Sequence, residues 1–253
     1  MARRIAFFDC FSGASGDMIL SAMVDAGVEI EALRSELDKL HLPGWRLEAD
    51  RVARQGLAGT HVRVMVDDNH PPERRLADIE EMIQTSALAG SVQERALSIF
   101  RALGEAEATV HGVPVEQVHF HEVGAIDALI DIVGASVGFE LLGIDRAYAS
   151  SLPVGLGSVK TAHGPLPLPA PATLALATRA KAPLRPAGTE VELVTPTGAA
   201  ILTTCAEFTQ PPLVVEKVGT GFGTRELPWP NVLRLWLGTP VEDGLEDGEV
   251  TII

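Results

Sequence analysis

Five side chains that can bind a metal ion or transfer protons lie within thirteen residues near the middle of the chain. They are His119, His121, Glu122, Asp127 and Asp131. Imidazole and carboxylate groups together favour nickel, zinc, iron or manganese over calcium or magnesium. Their spacing matches none of the standard zinc motifs, so a structural role is equally open. In that role one histidine packs in the core and the aspartates pair with arginines.

Two predicted elements position these side chains. A short strand over residues 118–120 places the two histidines on one face, because strand side chains alternate. A helix predicted over residues 122–142 places the two aspartates about one turn apart on the same side. Their like charges repel, so a cation or an arginine must compensate them. Gly124, Gly134 and Gly138 fall near the same side and predict close approach by another backbone or by a ligand.

Two turns that precede predicted helices offer backbone N–H groups to an anion. The first lies before Asp17 and follows a buried strand over residues 5–8, and the second begins at Thr195. The candidate phosphate-binding residues are Ser12, Gly13, Ser15, Gly16, Thr195, Thr197 and Gly198. The first turn lacks the Gly-Lys-Ser/Thr of a P-loop and the glycine spacing of a dinucleotide site. The alternative is therefore that Ser15 or Asp17 only caps a helix.

Two further patterns surround these candidates. Residues 45–66 alternate around Gln55–Gly56, which predicts an antiparallel hairpin. His61 falls on the polar face of this hairpin and is interpreted as a surface side chain. Strands predicted on either side of residues 219–225 leave that segment as a flexible glycine-rich loop.

The order of helices and strands shows no steady βαβ rhythm, which predicts an α+β or mixed α/β fold. We expect a compact unit with a mixed sheet, an antiparallel hairpin and packed helices. Residues 1–240 form its main region, with a candidate lobe boundary near residues 160–171, where prolines stiffen the chain. Residues 241–253 form an acidic tail.

The charge balance excludes several classes of partner. Against 34 acidic residues the chain has 20 basic ones, a net charge of −14 at pH 7, and no basic stripe that suits nucleic acid.

No stretch approaches the roughly 18 apolar residues of a membrane span. The apolar run at the N-terminus is too short for a signal peptide. Cys10 and Cys205 are far apart, as in proteins of a reducing compartment. We therefore expect a cytoplasmic protein that binds neither nucleic acid nor membranes.

Several ordered motifs resemble the LarC family of nickel insertion proteins, which act in nickel-pincer cofactor biosynthesis. The longest are Asp-Cys-Phe-Ser-Gly-Ala-Ser-Gly-Asp-Met at residues 9–18 and His-Phe-His-Glu-Val-Gly-Ala-Ile-Asp at residues 119–127. The others lie at residues 163–171, 195–198, 219–225 and 230–234. These motifs span nearly all of the chain, and the chain resembles the N-terminal part of the family.

The resemblance implies an activity. Family members insert nickel into pyridinium-3,5-bisthiocarboxylic acid mononucleotide in a CTP-dependent step, as nickel chelatases of the lyase class. Their product is the cofactor of lactate racemase and related enzymes. The resemblance also implies Ni²⁺, with CTP and Mn²⁺ or Mg²⁺ bound through a C-terminal domain that this chain is expected to lack. That domain, or a separate partner chain, and a second copy of this chain are the expected protein partners.

The resemblance also suggests roles for the candidate residues. His119, His121 and Glu122 would deliver nickel, with Asp127 and Asp131 as further ligands or as supports of the ligating imidazoles. Asp9 and Asp17 join the candidate metal ligands, since both could face the same cleft. The turn or the second helix start would hold the substrate phosphate. No residue is assigned a catalytic role.

Two other functions remain open. A metal-dependent phosphohydrolase could use the same carboxylates and glycine-rich turns. A non-catalytic nickel-delivery or scaffold half would leave the chemistry to a partner.

Overall fold

The computed structural model describes residues 4–67, 74–120, 126–161 and 164–241. Its α-helices are α1 (Gly16–Asp25), α2 (Ile30–Leu37), α3 (Leu76–Thr85), α4 (Gly90–His111), α5 (Ile126–Leu141), α6 (Pro171–Ala180) and α7 (Pro196–Cys205). Its strands are β1 (Ile5–Asp9), β2 (Trp45–Arg54), β3 (Leu57–Val66), β4 (Arg74–Arg75), β5 (His119–Phe120), β6 (Arg146–Ala149), β7 (Leu152–Val154), β8 (Ser158–Thr161), β9 (Gly164–Pro167), β10 (Leu184–Pro186), β11 (Ala206–Glu207), β12 (Leu213–Phe222) and β13 (Val232–Pro240).

The main sheet has seven strands in the order β11-β6-β1-β13-β12-β3-β2. Strand β1 is parallel to β6 on one side and antiparallel to β13 on the other. Strand β12 is antiparallel to β13 and parallel to β3. The sheet is therefore mixed, and with its packed helices it confirms the predicted mixed α/β class.

The predicted hairpin is confirmed. Strands β2 and β3 pair antiparallel from Trp45 opposite Val66 to Arg54 opposite Leu57. The two residues between them, Gln55 and Gly56, have φ angles of 50° and 83°. Two successive positive φ angles give a turn whose twist suits two neighbouring strands.

The glycine-rich segment that was predicted as a flexible loop belongs largely to strand β12, so that prediction was wrong. A Cβ atom at Gly219 would overlap the carbonyl oxygen of Ala22, and one at Gly221 would overlap that of Met18. The glycines therefore let the backbone of α1 lie directly on the strand. Their function is packing, and a packed glycine-rich strand resembles a loop when only the sequence is read.

Helices α1 and α5 pack side by side and run in the same direction. Gly138 of α5 faces Met23, and Gly134 faces Leu20, one turn earlier in both helices. The predicted close approach is thus confirmed at Gly134 and Gly138, where the approaching group is another helix, whereas Gly124 lies outside the described residues. Because the two helices are parallel, both begin at the same end of the molecule.

Apolar side chains of the helices and of one sheet face form the main core, around Phe8, Leu20 and Phe100. A smaller cluster on the other sheet face contains Phe7 and Tyr148. Within the described ranges, no helix is long and apolar enough to cross a membrane.

Candidate functional site

Three hydrogen bonds fix the carboxylate of Asp17 at the start of α1. The Ser15 hydroxyl and the Met18 N–H group, the latter at 2.9 Å, donate to Oδ1. The Thr224 hydroxyl donates to Oδ2 at 3.2 Å. Asp17 is thus held in one orientation, and Oδ2 retains capacity for a further donor or a cation.

His61 supports this arrangement and is not the surface side chain that the hairpin pattern predicted. It is only 4% exposed, because the segment after β12 covers that part of the hairpin. Its Nε2 lies 3.2 Å from the Thr224 hydroxyl, and its Nδ1 lies 3.4 Å from the Arg54 guanidinium. Alternation along a strand distinguishes its two faces, but it does not reveal what a distant segment covers.

The direction of this hydrogen-bond chain follows from the chemistry of arginine. A guanidinium group only donates, so Nδ1 of His61 accepts and the proton of the neutral ring lies on Nε2. That proton is donated to Thr224, whose own hydroxyl proton is donated to Asp17. Burial, followed by the positive charge of Arg54, lowers the pKa of His61 and favours this neutral form.

Asp131 lies beside the start of α1, and no described residue compensates its charge. A Cβ atom at Gly16 would overlap its carboxylate. Its Oδ1 is shielded from solvent and has no hydrogen-bond partner among the described residues. Burial, followed by the negative charges of Asp17 and Asp127, raises the pKa of Asp131 well above its usual value. Such a carboxyl group holds a proton or requires a cation.

Asp127 completes an acidic cluster at the starts of α1 and α5. It is exposed in the first turn of α5, where its Oδ1 accepts from the Ala128 N–H group at 2.8 Å. No salt bridge joins it or Asp131 to an arginine among the described residues. No described group of three or more His, Cys, Asp or Glu side chains is arranged to hold a metal ion. The cluster is therefore at most part of a metal site.

The predicted histidine ligands and Glu122 lie largely outside the described residues. His121 and Glu122 belong to residues 121–125, which are not among the described ranges. His119 lies in β5, whose backbone pairs with Arg75 of β4, and its side chain is not described.

Asp9 does not line the cleft with Asp17. It pairs with Arg234 of the neighbouring strand, whose Nε donates to its Oδ2 at 2.8 Å. Its charge is therefore already compensated.

The two turns predicted to bind an anion meet in the fold. Ala14 forms a parallel bridge with Val194, with a 2.9 Å bond from its N–H group to the Leu193 carbonyl. Gly13 has a φ angle of 129°, and a Cβ atom there would overlap the same carbonyl oxygen. Helices α1 and α7 therefore start side by side, and Ser15 of the first turn and Thr195 of the second line one cleft.

This cleft, called here the helix-start cleft, has a volume of ≈ 390 Å³. Its lining residues come from both helix starts and from the segments before α7 and after β12. They include Ser15, Asp17, Glu192, Thr195, Thr224 and Arg225.

Several predicted phosphate donors are already engaged. The N–H groups of Ser12 and Gly13 donate to the carbonyls of Val232 and Cys10, both at 3.3 Å. The Ser12 hydroxyl is buried and accepts from Trp229 Nε1 at 2.9 Å.

The second helix start is partly engaged as well. The Thr195 hydroxyl accepts from the Gly198 N–H group at 3.2 Å, as a helix cap. A Cβ atom at Gly198 would overlap the Ala14 carbonyl oxygen, so this glycine serves the contact between the two turns. Among the described residues, no hydrogen bond uses the N–H groups of Gly16, Asp17 or Thr197, because a helix start leaves its first N–H groups unpaired. These three groups are therefore the remaining backbone donors.

A family model for nickel insertion proteins matches residues 6–253. The chain belongs to the nickel insertion protein family. This match confirms the family that the sequence motifs indicated. No solved structure matches the chain.

Relatives from three bacteria illustrate the similarity. A Thermomicrobium roseum protein named for nickel insertion is 54% identical over 252 residues, which are 98% of this chain and 62% of that protein. A Dictyoglomus thermophilum relative is 42% identical over 248 residues, 97% of this chain and 64% of its own length. A Desulfitobacterium hafniense relative is 48% identical over 253 residues, 97% of this chain and 62% of its own length. That protein is named for nickel insertion into pyridinium-3,5-bisthiocarboxylic acid mononucleotide. The chain thus spans about three fifths of these relatives.

Sequence reasoning missed His61, Thr224 and Arg54 as members of the site. Thr224 lies in one of the motifs shared with the family, which is the one signal that could have identified it. Nothing in the pattern around His61 marks it, because Thr224, which its Nε2 contacts, comes from the far end of the chain.

Proposed function

We propose that this chain takes part in nickel insertion into pyridinium-3,5-bisthiocarboxylic acid mononucleotide, with the helix-start cleft as the site. The observation that carries the proposal is the pair of carboxylates at the start of α1, of which Asp17 lines this cleft. Asp17 is fixed by three donors, and Asp131 beside it has a shielded oxygen for which the described part of the chain offers no partner. Such a pair suits a cation, and the family's cation is nickel.

The proposed nickel donors come from the start of α1, from α5 and from the stretch before α5. Asp17, Asp127 and Asp131 supply oxygen, and His119, His121 and Glu122 from the stretch before α5 supply nitrogen and a further carboxylate. Mixed imidazole and carboxylate ligands suit nickel. Asp9 is left out of this set because Arg234 already compensates it.

The mononucleotide would occupy the helix-start cleft. A volume of ≈ 390 Å³ lies within the usual range of small-molecule sites. Helix starts favour negative charge, so the starts of α1 and α7 beside this cleft suit anionic groups of the substrate.

The remaining parts of the reaction are assigned to a C-terminal partner. We propose that CTP and Mn²⁺ or Mg²⁺ bind there, whether that partner is a domain of the same polypeptide or a separate chain. The relatives extend beyond the region that matches this chain, in agreement with this division. In the complete system the activity is that of a nickel chelatase.

Anaerobic metal analysis of the purified chain, with and without the mononucleotide, tests the nickel site. We expect Asp131→Asn and His121→Ala to lose nickel while circular dichroism stays unchanged. Glu140→Gln is the matched control, since Glu140 is an exposed carboxylate near the other end of α5. Full nickel retention by Asp131→Asn contradicts the assignment.

A nickel-delivery or scaffold role is the second candidate. It is favoured because the described residues do not complete a three-ligand metal group. Nickel insertion assayed with this chain alone, and then with the C-terminal part and CTP added, separates the two functions. Insertion only in the second assay, although the chain alone binds nickel, indicates delivery. Release of phosphate from a generic ester with Mn²⁺ or Mg²⁺ instead indicates a phosphohydrolase.

A further inference from the structure

A second cavity, called here the arginine cavity, adjoins the helix-start cleft. Its volume is ≈ 250 Å³. Both cavities are lined by Arg225, Leu227 and Asn231, so a ligand can extend from one into the other. The arginine cavity is also lined by Arg54 and Trp229.

The two cavities differ in charge. Asp17 and Glu192 line the helix-start cleft, with Arg225 as its basic residue. Arg54 and Arg225 line the arginine cavity, with Glu226 as its acidic residue. A phosphate dianion is therefore favoured in the arginine cavity, and a cation in the helix-start cleft.

Neither arginine forms a salt bridge with a carboxylate of a described residue. The Arg54 guanidinium donates to the Gly223 carbonyl at 2.9 Å and lies 5.6 Å from the centre of the Phe222 ring. Arg225 is exposed and donates to the Glu192 carbonyl at 3.4 Å, near the limit of a hydrogen bond. In a chain with a net charge of −14, two such arginines around one cavity suit an anionic ligand.

The wall of the arginine cavity is fixed before any ligand binds. Gln55 Nε2 donates to the Leu227 carbonyl at 2.8 Å, and Asn231 Nδ2 donates to the Arg225 carbonyl at 2.9 Å. Trp229 Nε1 donates to the buried Ser12 hydroxyl at 2.9 Å. These bonds hold the backbone that carries Arg225, which reduces the entropy lost when a ligand is bound.

We propose that the arginine cavity is the phosphate subsite of the mononucleotide, with Arg225 as its principal ligand and Arg54 as a fixed positive charge. The pyridinium ring then lies in the helix-start cleft, next to Asp17. This orientation replaces the turn at Ser12 and Gly13 as the phosphate site, since the donors there are engaged. It rests on the proposed function for the identity of the substrate, whereas the phosphate subsite itself can be tested separately.

Calorimetry with three ligands tests the subsite. The mononucleotide and its dephosphorylated nucleoside measure how much the phosphate contributes to affinity, and ribose 5-phosphate measures the subsite alone. We expect Arg225→Gln to weaken mononucleotide binding about tenfold or more and to leave nucleoside binding unchanged. A residue with a merely structural role would weaken both ligands equally.

Arg179→Gln is the matched control, because Arg179 is an exposed arginine paired with Glu105 on another surface. Arg54→Lys serves as a second variant, which keeps the charge and loses the planar fork, and we expect a smaller loss. Arginine-dependent binding of ribose 5-phosphate without mononucleotide binding supports the anion subsite and removes the substrate assignment. An unchanged ratio of mononucleotide to nucleoside affinity in Arg225→Gln overturns the inference, as does absence of ribose 5-phosphate binding by the unmodified chain.

Discussion

Helix α1 makes one kind of close contact along most of its length and a different kind at its start. Where α1 packs against β12 and the later turns of α5, glycines such as Gly221 and Gly134 leave room for the backbone or apolar side chains of α1. At the start of α1 the glycine belongs to α1 itself, and the group that lies against Gly16 is the carboxylate of Asp131. In the first region the groups at the glycine contacts need no further partner, whereas in the second the contact shields a carboxylate oxygen that has no partner within the described ranges. The difference marks the end of the interface at which we propose the nickel site.

The apolar contact is broken most strongly at Gly221. A valine there would force its Cβ against the Met18 carbonyl, which is backbone and cannot move aside. We expect Gly221→Val to lower the free energy of unfolding by about 3 kcal/mol or more, measured by urea denaturation. Gly90→Ala is the control, since a Cβ atom there meets open space, and it should change stability by less than about 1 kcal/mol. A Gly221→Val protein as stable as the control contradicts the close packing.

Removing the ionisable carboxyl group of Asp131 tests the polar contact. The pKa of Asp131 is higher in the folded than in the unfolded chain, so its ionisation costs stability as pH rises above the unfolded value of about 3.9. In the absence of metal, the unfolding free energy of Asp131→Asn relative to the original chain should rise by about 1–3 kcal/mol between roughly pH 4 and pH 8. Urea denaturation at both pH values in the presence of a chelator measures this gain. A gain that is independent of pH would mean that Asp131 is not the titrating group.

The support of Asp17 is tested at Thr224. Thr224→Val keeps the shape and removes the hydroxyl that donates to the carboxylate. We expect nickel affinity to fall about tenfold, as for other residues that orient a metal ligand, and Thr224→Ser to restore it. If Asp17→Asn weakens nickel binding and Thr224→Val does not, the hydrogen-bond chain has no functional effect.

The smallest expected effect concerns His61. Its folded-state pKa is lowered, so the stability from the neutral ring is complete above about pH 6.5 and is lost as pH falls. Gln retains an Nε2 donor for Thr224, and His61→Gln should therefore flatten the dependence of unfolding free energy on pH between roughly pH 5 and 7. Equal slopes for the two proteins would assign the dependence to other groups.

The local part of this comparison was predictable and the long-range part was not. The hairpin around Gln55–Gly56 and the helix that carries Asp131 follow from alternation and periodicity over neighbouring residues. The identity of Gly221 as a packing residue depends on α1, which lies about 200 residues earlier in the chain. The burial of His61 likewise depends on Thr224. Sequence patterns report which residues share a face, whereas the site is built from contacts between distant segments.

The position of α1 also determines which part of the site can move. Residues Met18–Met23 are buried, and Ser21 ties the helix to the sheet by accepting from the Val62 N–H group at 2.8 Å. The amides of this helix should therefore be among the slowest to exchange with deuterium, since only large-scale opening exposes them. Any opening of the cleft then requires its opposite wall, where residues 224–226 are exposed, to break side-chain hydrogen bonds such as that from Asn231 to the Arg225 carbonyl. Exchange rates there, measured with and without ligand, would report entry into the site while Asp17 stays fixed.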